Sequence, residues 1–73
     1  MSRYSLQAYL ERLSSEQLEI FLRQCMLFNR WDQYDHVVPQ IFELLKKRSY
    51  TVDQLILASW EAYLQKQEQE KKT

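Results

Sequence analysis

Apolar residues recur along this chain in four blocks with helical spacing. Leu6, Tyr9, Leu10 and Leu13 fall at i, i+3, i+4 and i+7, which predicts a first helix over about 6–13 with Ser5 as its N-cap. Ser14 opens a second. Gln17 stands three residues on and Leu13 and Leu18 flank the pair, the pattern of a capping box inside a hydrophobic staple. This helix is expected to end at Phe28 or Asn29, because Asn tolerates the left-handed C-terminal position when no glycine is at hand. The third block puts Tyr34, Val37, Val38, Ile41, Phe42, Leu44 and Leu45 on one face and Gln40, Glu43, Lys46 and Lys47 on the other. Its start stays open between Asp32 or Asp35 as cap and a start near His36. Pro39 fits only a first turn, so an earlier start implies a kink. Thr51 caps the fourth block, with Gln54 three on and Tyr50 and Leu55 as staple; Val52, Leu55, Ile56, Trp60 and Tyr63 form its face.

The second block differs from the others in being apolar nearly all round. At about 100° per residue, Leu18, Leu22 and Cys25 share one side. Ile20, Leu27 and, if the helix reaches it, Trp31 share the opposite side, with Phe21 and Phe28 between. Such a helix must be covered on most faces. Either it is central to the chain's own core, or one stripe faces the core and the other a partner.

Size and composition tilt that choice. A chain of 73 residues holds one small domain, here expected over 1–64, followed by a polar tail over 65–73 that frays or is disordered. A chain this short buries only about 60% of its unfolded surface. Ten aromatics are more than so small a core readily hides. Leu57 and Leu64 lie seven apart, off the main face of the fourth helix. These features point to a partner surface built from Ile20, Leu27 and Trp31, with Leu57 and Leu64 as a weaker second patch and Trp31 as anchor. On that reading Trp31→Ala weakens association and leaves the monomer helical.

Candidate chemistry changes the picture little. Glycine is absent, which excludes glycine-rich phosphate loops and the dinucleotide fingerprint. Cys25 and His36 could suggest a nucleophile and its base, but Cys25 sits on an apolar face and reads as an inert core residue. Asp32, Asp35 and His36 cluster at a helix start, where negative charge complements the dipole better than it builds a metal site. No catalytic residue, metal, cofactor or small-molecule substrate is expected, and the chain reads as a non-enzyme.

Formal charge is balanced, ten of each sign, and the basic runs Lys46-Lys47-Arg48 and Lys71-Lys72 read as solvated helix ends. Nucleic-acid binding is therefore not the leading reading. A helix-turn-helix-like regulator over 36–64 is kept as the alternative, with a Ser49-Tyr50-Thr51 link and Lys46, Lys47 and Arg48 on the phosphates. No apolar run is long enough for a signal segment or a membrane span, and a lone cysteine suits a reducing compartment, so a cytoplasmic protein is expected. Leu13-Ser14-Ser15-Glu16-Gln17-Leu18, followed by Cys25, Asn29 and Lys47-Arg48-Ser49, loosely resembles the helical-hairpin inhibitors of sporulation histidine kinases and the cyanobacterial phycobilisome-degradation adaptors. Pro39 and the fourth block depart from both, and no function or site is carried over. The sequence thus predicts an all-α fold, a small compact bundle of three main helices plus a short N-terminal one. Its expected role is protein–protein interaction, as a regulator or adaptor of a larger protein or as a small homodimer.

Overall fold

Caps set the boundaries of the helices. The computed structural model describes residues 5–72, with α1 at Leu6–Glu11, α2 at Ser15–Leu27, α3 at Val38–Lys47 and α4 at Gln54–Lys72. A single 3-10 turn spans Trp31–Gln33, and the described residues contain no strand. Tyr4 and the side chains of Lys71 and Lys72 lie outside the described residues. Ser5 Oγ accepts the Ala8 amide at the head of α1. Ser14 Oγ accepts the Gln17 amide while Gln17 Oε1 accepts the Ser14 amide, so the expected capping box forms in both directions.

Two helices end on left-handed residues that are not glycine. Asn29 (φ 53°) follows α2 and Ser49 (φ 57°) follows α3. The Arg30 amide reaches back to the Cys25 carbonyl and the Tyr50 amide to the Leu45 carbonyl. Asn29 and Ser49 bond to Met26 and Lys46. Both ends are Schellman motifs, which satisfy carbonyls the helix would otherwise orphan. Asn adopts this conformation more readily than Ser, whose Cβ crowds the following carbonyl at about 1–2 kcal/mol. Ser49→Gly removes that crowding and adds unfolded-state entropy, for a net gain of about 0.5–1 kcal/mol. A higher urea midpoint is the expected result; a lower one would mean that the Ser49 side chain itself stabilises the turn.

The start of α3 resolves in favour of Pro39 in the first turn. Val38 is the first helical residue and Pro39 the second, so no amide is lost and no kink is needed. The Tyr34 carbonyl takes the amides of Val37 and Val38, joining the 3-10 turn to the helix. The start of α4 differs from expectation. Asp53, not Thr51, is the cap: its Oδ1 accepts the Leu55 amide and its carbonyl the Leu57 amide. Thr51 and Val52 are drawn out of the helix because Val52 must reach the core and the Asp53 amide is held by Glu19 Oε2 at 3.2 Å. The polar segment from Gln65 continues α4 as helix up to Lys72. Gln, Lys and Glu are good helix formers and neither Gly nor Pro interrupts them.

The core is one layer of side chains between α2, α3 and α4. Leu18, Leu22 and Cys25 enter from α2, Val38, Ile41 and Leu45 from α3, and Ile56 and Trp60 from α4. Leu10, Trp31 and Val52 complete it. Polar clamps tie the connections down. The Arg48 guanidinium donates to the carbonyls of Glu11 and Leu13 and to Ser15 Oγ, at 3.0, 2.9 and 3.2 Å. It thereby closes the α1–α2 turn from the end of α3, rather than standing in solvent as the sequence suggested. Glu19 accepts from Tyr50 Oη and the Asp53 amide, and Arg23 bridges Glu19 and Asp53.

Candidate functional site

The face of α2 opposite its core stripe is bare. Ile20 is 53% exposed and Leu27 65% exposed, one above the other at a spacing of seven. Phe28, which closes the helix, is also exposed, and the Arg30 guanidinium lies 5.7 Å from its ring centroid. Arg23, between Ile20 and Leu27 in the helix, reaches Asp53 Oδ2 at 3.5 Å, two residues before the exposed Leu55. Four large apolar side chains, Ile20, Leu27, Phe28 and Leu55, therefore stand in solvent along α2 and at the start of α4. Each forgoes on the order of 1 kcal/mol of burial.

Trp31 does not belong with them. It is 2% exposed, and the reason is the turn at Asn29. The sequence projected Trp31 onto α2, but α2 stops at Leu27 and the Schellman turn folds the following residues back under the bundle. Trp31 Nε1 then donates to Ser59 Oγ at 2.8 Å, and its ring packs at 5.2 Å from Trp60. Trp60 in turn stacks on Tyr63 at 5.4 Å and meets Phe42 at 6.1 Å. Phe21 meets Tyr34 edge-on at 5.0 Å. The aromatics the sequence left without a place are thus largely packed against each other, and of those described only Tyr9 and Phe28 are exposed.

The second patch divides in the same way. Leu57 is half-buried against the core, whereas Leu64 is 43% exposed. Leu55, expected in the core face and in a staple with Tyr50, is 68% exposed and was missed as a surface candidate. Its spacing from Val52 carried the error: Val52 lies outside the helix, so the three-residue interval does not put the two on one face. Phe28 was placed between the two sides of α2; its position at the last turn, past the buried stripe, was the available signal.

Cys25 is buried, and burial pushes its thiol pKa up against the weaker pull of Arg30, away from the nucleophilic thiolate. His36 is exposed beside Asp35 at 3.8 Å. Among the described residues no group of three His, Cys, Asp or Glu converges as a metal site. Desolvation and the bond it donates to Asp35 push Tyr63 up to about 12, and the bond to Glu19 raises Tyr50. Both phenols hold their protons as structural donors at neutral pH. An open groove of about 370 Å³ lies between the Asn29–Asp32 turn and α4. Trp31 and Ser59 on its wall already satisfy each other.

Compared with family models, curated proteins and solved structures, the chain matches none. The residues that carried the likeness to kinase inhibitors and phycobilisome adaptors are cap and core positions here: Ser14 and Gln17 form the box, Cys25 is buried and Asn29 ends α2. Among the described residues no helix is long and apolar enough to cross a membrane. For the helix-turn-helix-like alternative, the link between α3 and α4 spans 48–53, longer than the three or four residues of that motif. Arg48 is engaged by the α1–α2 turn and points no free guanidinium at a phosphate.

Proposed function

We propose that the protein is a non-enzymatic helical interaction module, which binds another protein chain through the outer row of α2 as a regulator or adaptor or as a small homodimer. The observation that carries this reading is the position of Ile20 and Leu27, diametrically opposite Leu18, Leu22 and Cys25 and exposed by more than half. Exposed single apolar residues are ordinary; two in line along one helix, with Phe28 exposed at its end, have the composition of an interface. The row is not needed to close the core, since α2 already meets α3 and α4 with its other face. The buried, free thiol of Cys25 supports a reducing, cytoplasmic setting for this role.

Site-specific photo-crosslinking in cells tests the reading. A photoreactive side chain at Gln24, in the middle of the row, is expected to form a discrete adduct. The adduct should vanish when Ile20→Lys and Leu27→Lys are added, and Lys47, exposed on α3, should form none when substituted in the same way. Equal labelling from both positions, or none from Gln24, contradicts it.

A further inference from the structure

We propose that α1 is a hinged strap, which opens and recloses as a unit on a folded α2–α4 body, with Arg12 as its hinge and Arg48 as its latch. The outer row of α2 plays no part in this motion. α1 puts one side chain into the core: Leu10 is buried, whereas Leu6 and Tyr9 stand in solvent. Its packing on α3 is incomplete. A groove of about 230 Å³ lies between the two helices, with Gln7 and Leu10 on one wall and Gln40 and Leu44 on the other. The side-chain bonds within α1, from the Ala8 amide to Ser5 Oγ and from Gln7 Nε2 to Glu11, do not tie it to the body.

The break between α1 and α2 lets one leave without the other. The box of Ser14 and Gln17 caps α2 with residues that all lie after the hinge, so α2 keeps its cap when α1 departs. Arg48 divides its bonds across the same break. It holds the Leu13 carbonyl and Ser15 Oγ on the body side, and the Glu11 carbonyl on the strap side. Rotation at Arg12 therefore breaks one bond of the clamp, keeps two, and frees one buried leucine. Six residues are too few to stay helical once detached, so the opening is all-or-none over 6–11. Global unfolding gives up the core of α2, α3 and α4 as well, which makes the strap the low-stability unit of the fold. What opening uncovers is apolar: the seat of Leu10, and Leu44 beside it. The strap thus controls access to this end of the core.

Amide hydrogen exchange of the full chain, followed as urea is raised through concentrations below the unfolding transition, decides the proposal. The amides of Tyr9 and Arg12, bonded to the carbonyls of Ser5 and Tyr9, report on the strap. Those of Leu22 and Leu45, inside α2 and α3, report on the body. The strap amides are expected to exchange about a hundredfold faster than the body amides, with a much flatter dependence on urea, because their opening exposes little surface. Equal rates with equal urea slopes would mean that α1 opens only when everything does, and would overturn the strap. Exchange at free-chain rates in α1 would overturn it from the other side, since nothing would then be latched. Leu10→Ala weakens the seat alone. It should abolish protection over 6–11 and leave a cooperative urea transition and the near-ultraviolet circular dichroism of Trp31 and Trp60 in place. Loss of that aromatic signal in buffer would make α1 part of the body and overturn the proposal as well.

Discussion

Trp31→Ala is expected to remove a large share of the protein's stability. The indole is 2% exposed, packs on Trp60 and donates to Ser59, so truncation removes its apolar contacts, leaves a cavity and takes away a hydrogen-bond donor. Changes of this kind cost about 3–5 kcal/mol. A chain of 73 residues has a total stability of about 4–11 kcal/mol at typical values per residue. Urea unfolding followed by circular dichroism should show a midpoint far below that of the native chain, with helicity already reduced in buffer at the low end of that range. Trp31→Phe keeps most of the ring, gives up the bond to Ser59 and should cost about 1–2 kcal/mol. A midpoint unchanged by Trp31→Ala would place the indole outside the core and restore it to the partner face.

Arg48→Ala ranks second, and its effect is local before it is global. The guanidinium spans two carbonyls and a hydroxyl at the α1–α2 turn, across more than thirty residues of sequence. Charge-assisted bonds to backbone carbonyls make its loss worth about 2 kcal/mol, discounted from the buried value because the site is half open to water. α1 has six residues and cannot persist as an isolated helix. Amide hydrogen exchange should therefore accelerate over 6–11 while α2, α3 and α4 keep most of their protection. Arg48→Lys should not restore it, since one ammonium lacks the planar fork that reaches Glu11 and Leu13 together. Unchanged protection in α1 would show that Leu10 alone holds it.

Much of the fold was legible because its signals are local. Ser5, Ser14 with Gln17, and Asn29 each do at the helix ends what their chemistry allows in a chain without glycine. What was not legible depended on where the chain turns between helices. Trp31 lies four residues past the end of α2, and only the Schellman turn decides that it swings inward. Thr51 and Asp53 are both competent caps; the burial of Val52 between them and the bond to Glu19, from a distant element, select Asp53. Arg48 read as a solvated cation because its partners lie at the other end of the sequence. The surface row was half legible: Ile20 and Leu27 follow from the helical period, whereas Phe28 and Leu55 needed the ends of their helices to be known.

The unfolding midpoint as a function of protein concentration, for the native chain beside the Ile20→Lys/Leu27→Lys chain, tests most directly whether α2 keeps one face for binding. At the lowest concentration the two midpoints should agree within about 0.5 kcal/mol, because solvent-exposed positions carry little of the monomer's stability. With increasing concentration the native midpoint should climb and the substituted one stay level, as mass action requires when only the folded native chain associates. A substituted midpoint that lies well below the native one even at high dilution would contradict it, because the row would then belong to the core; two midpoints that never separate would exclude the homodimer and leave the row to another protein.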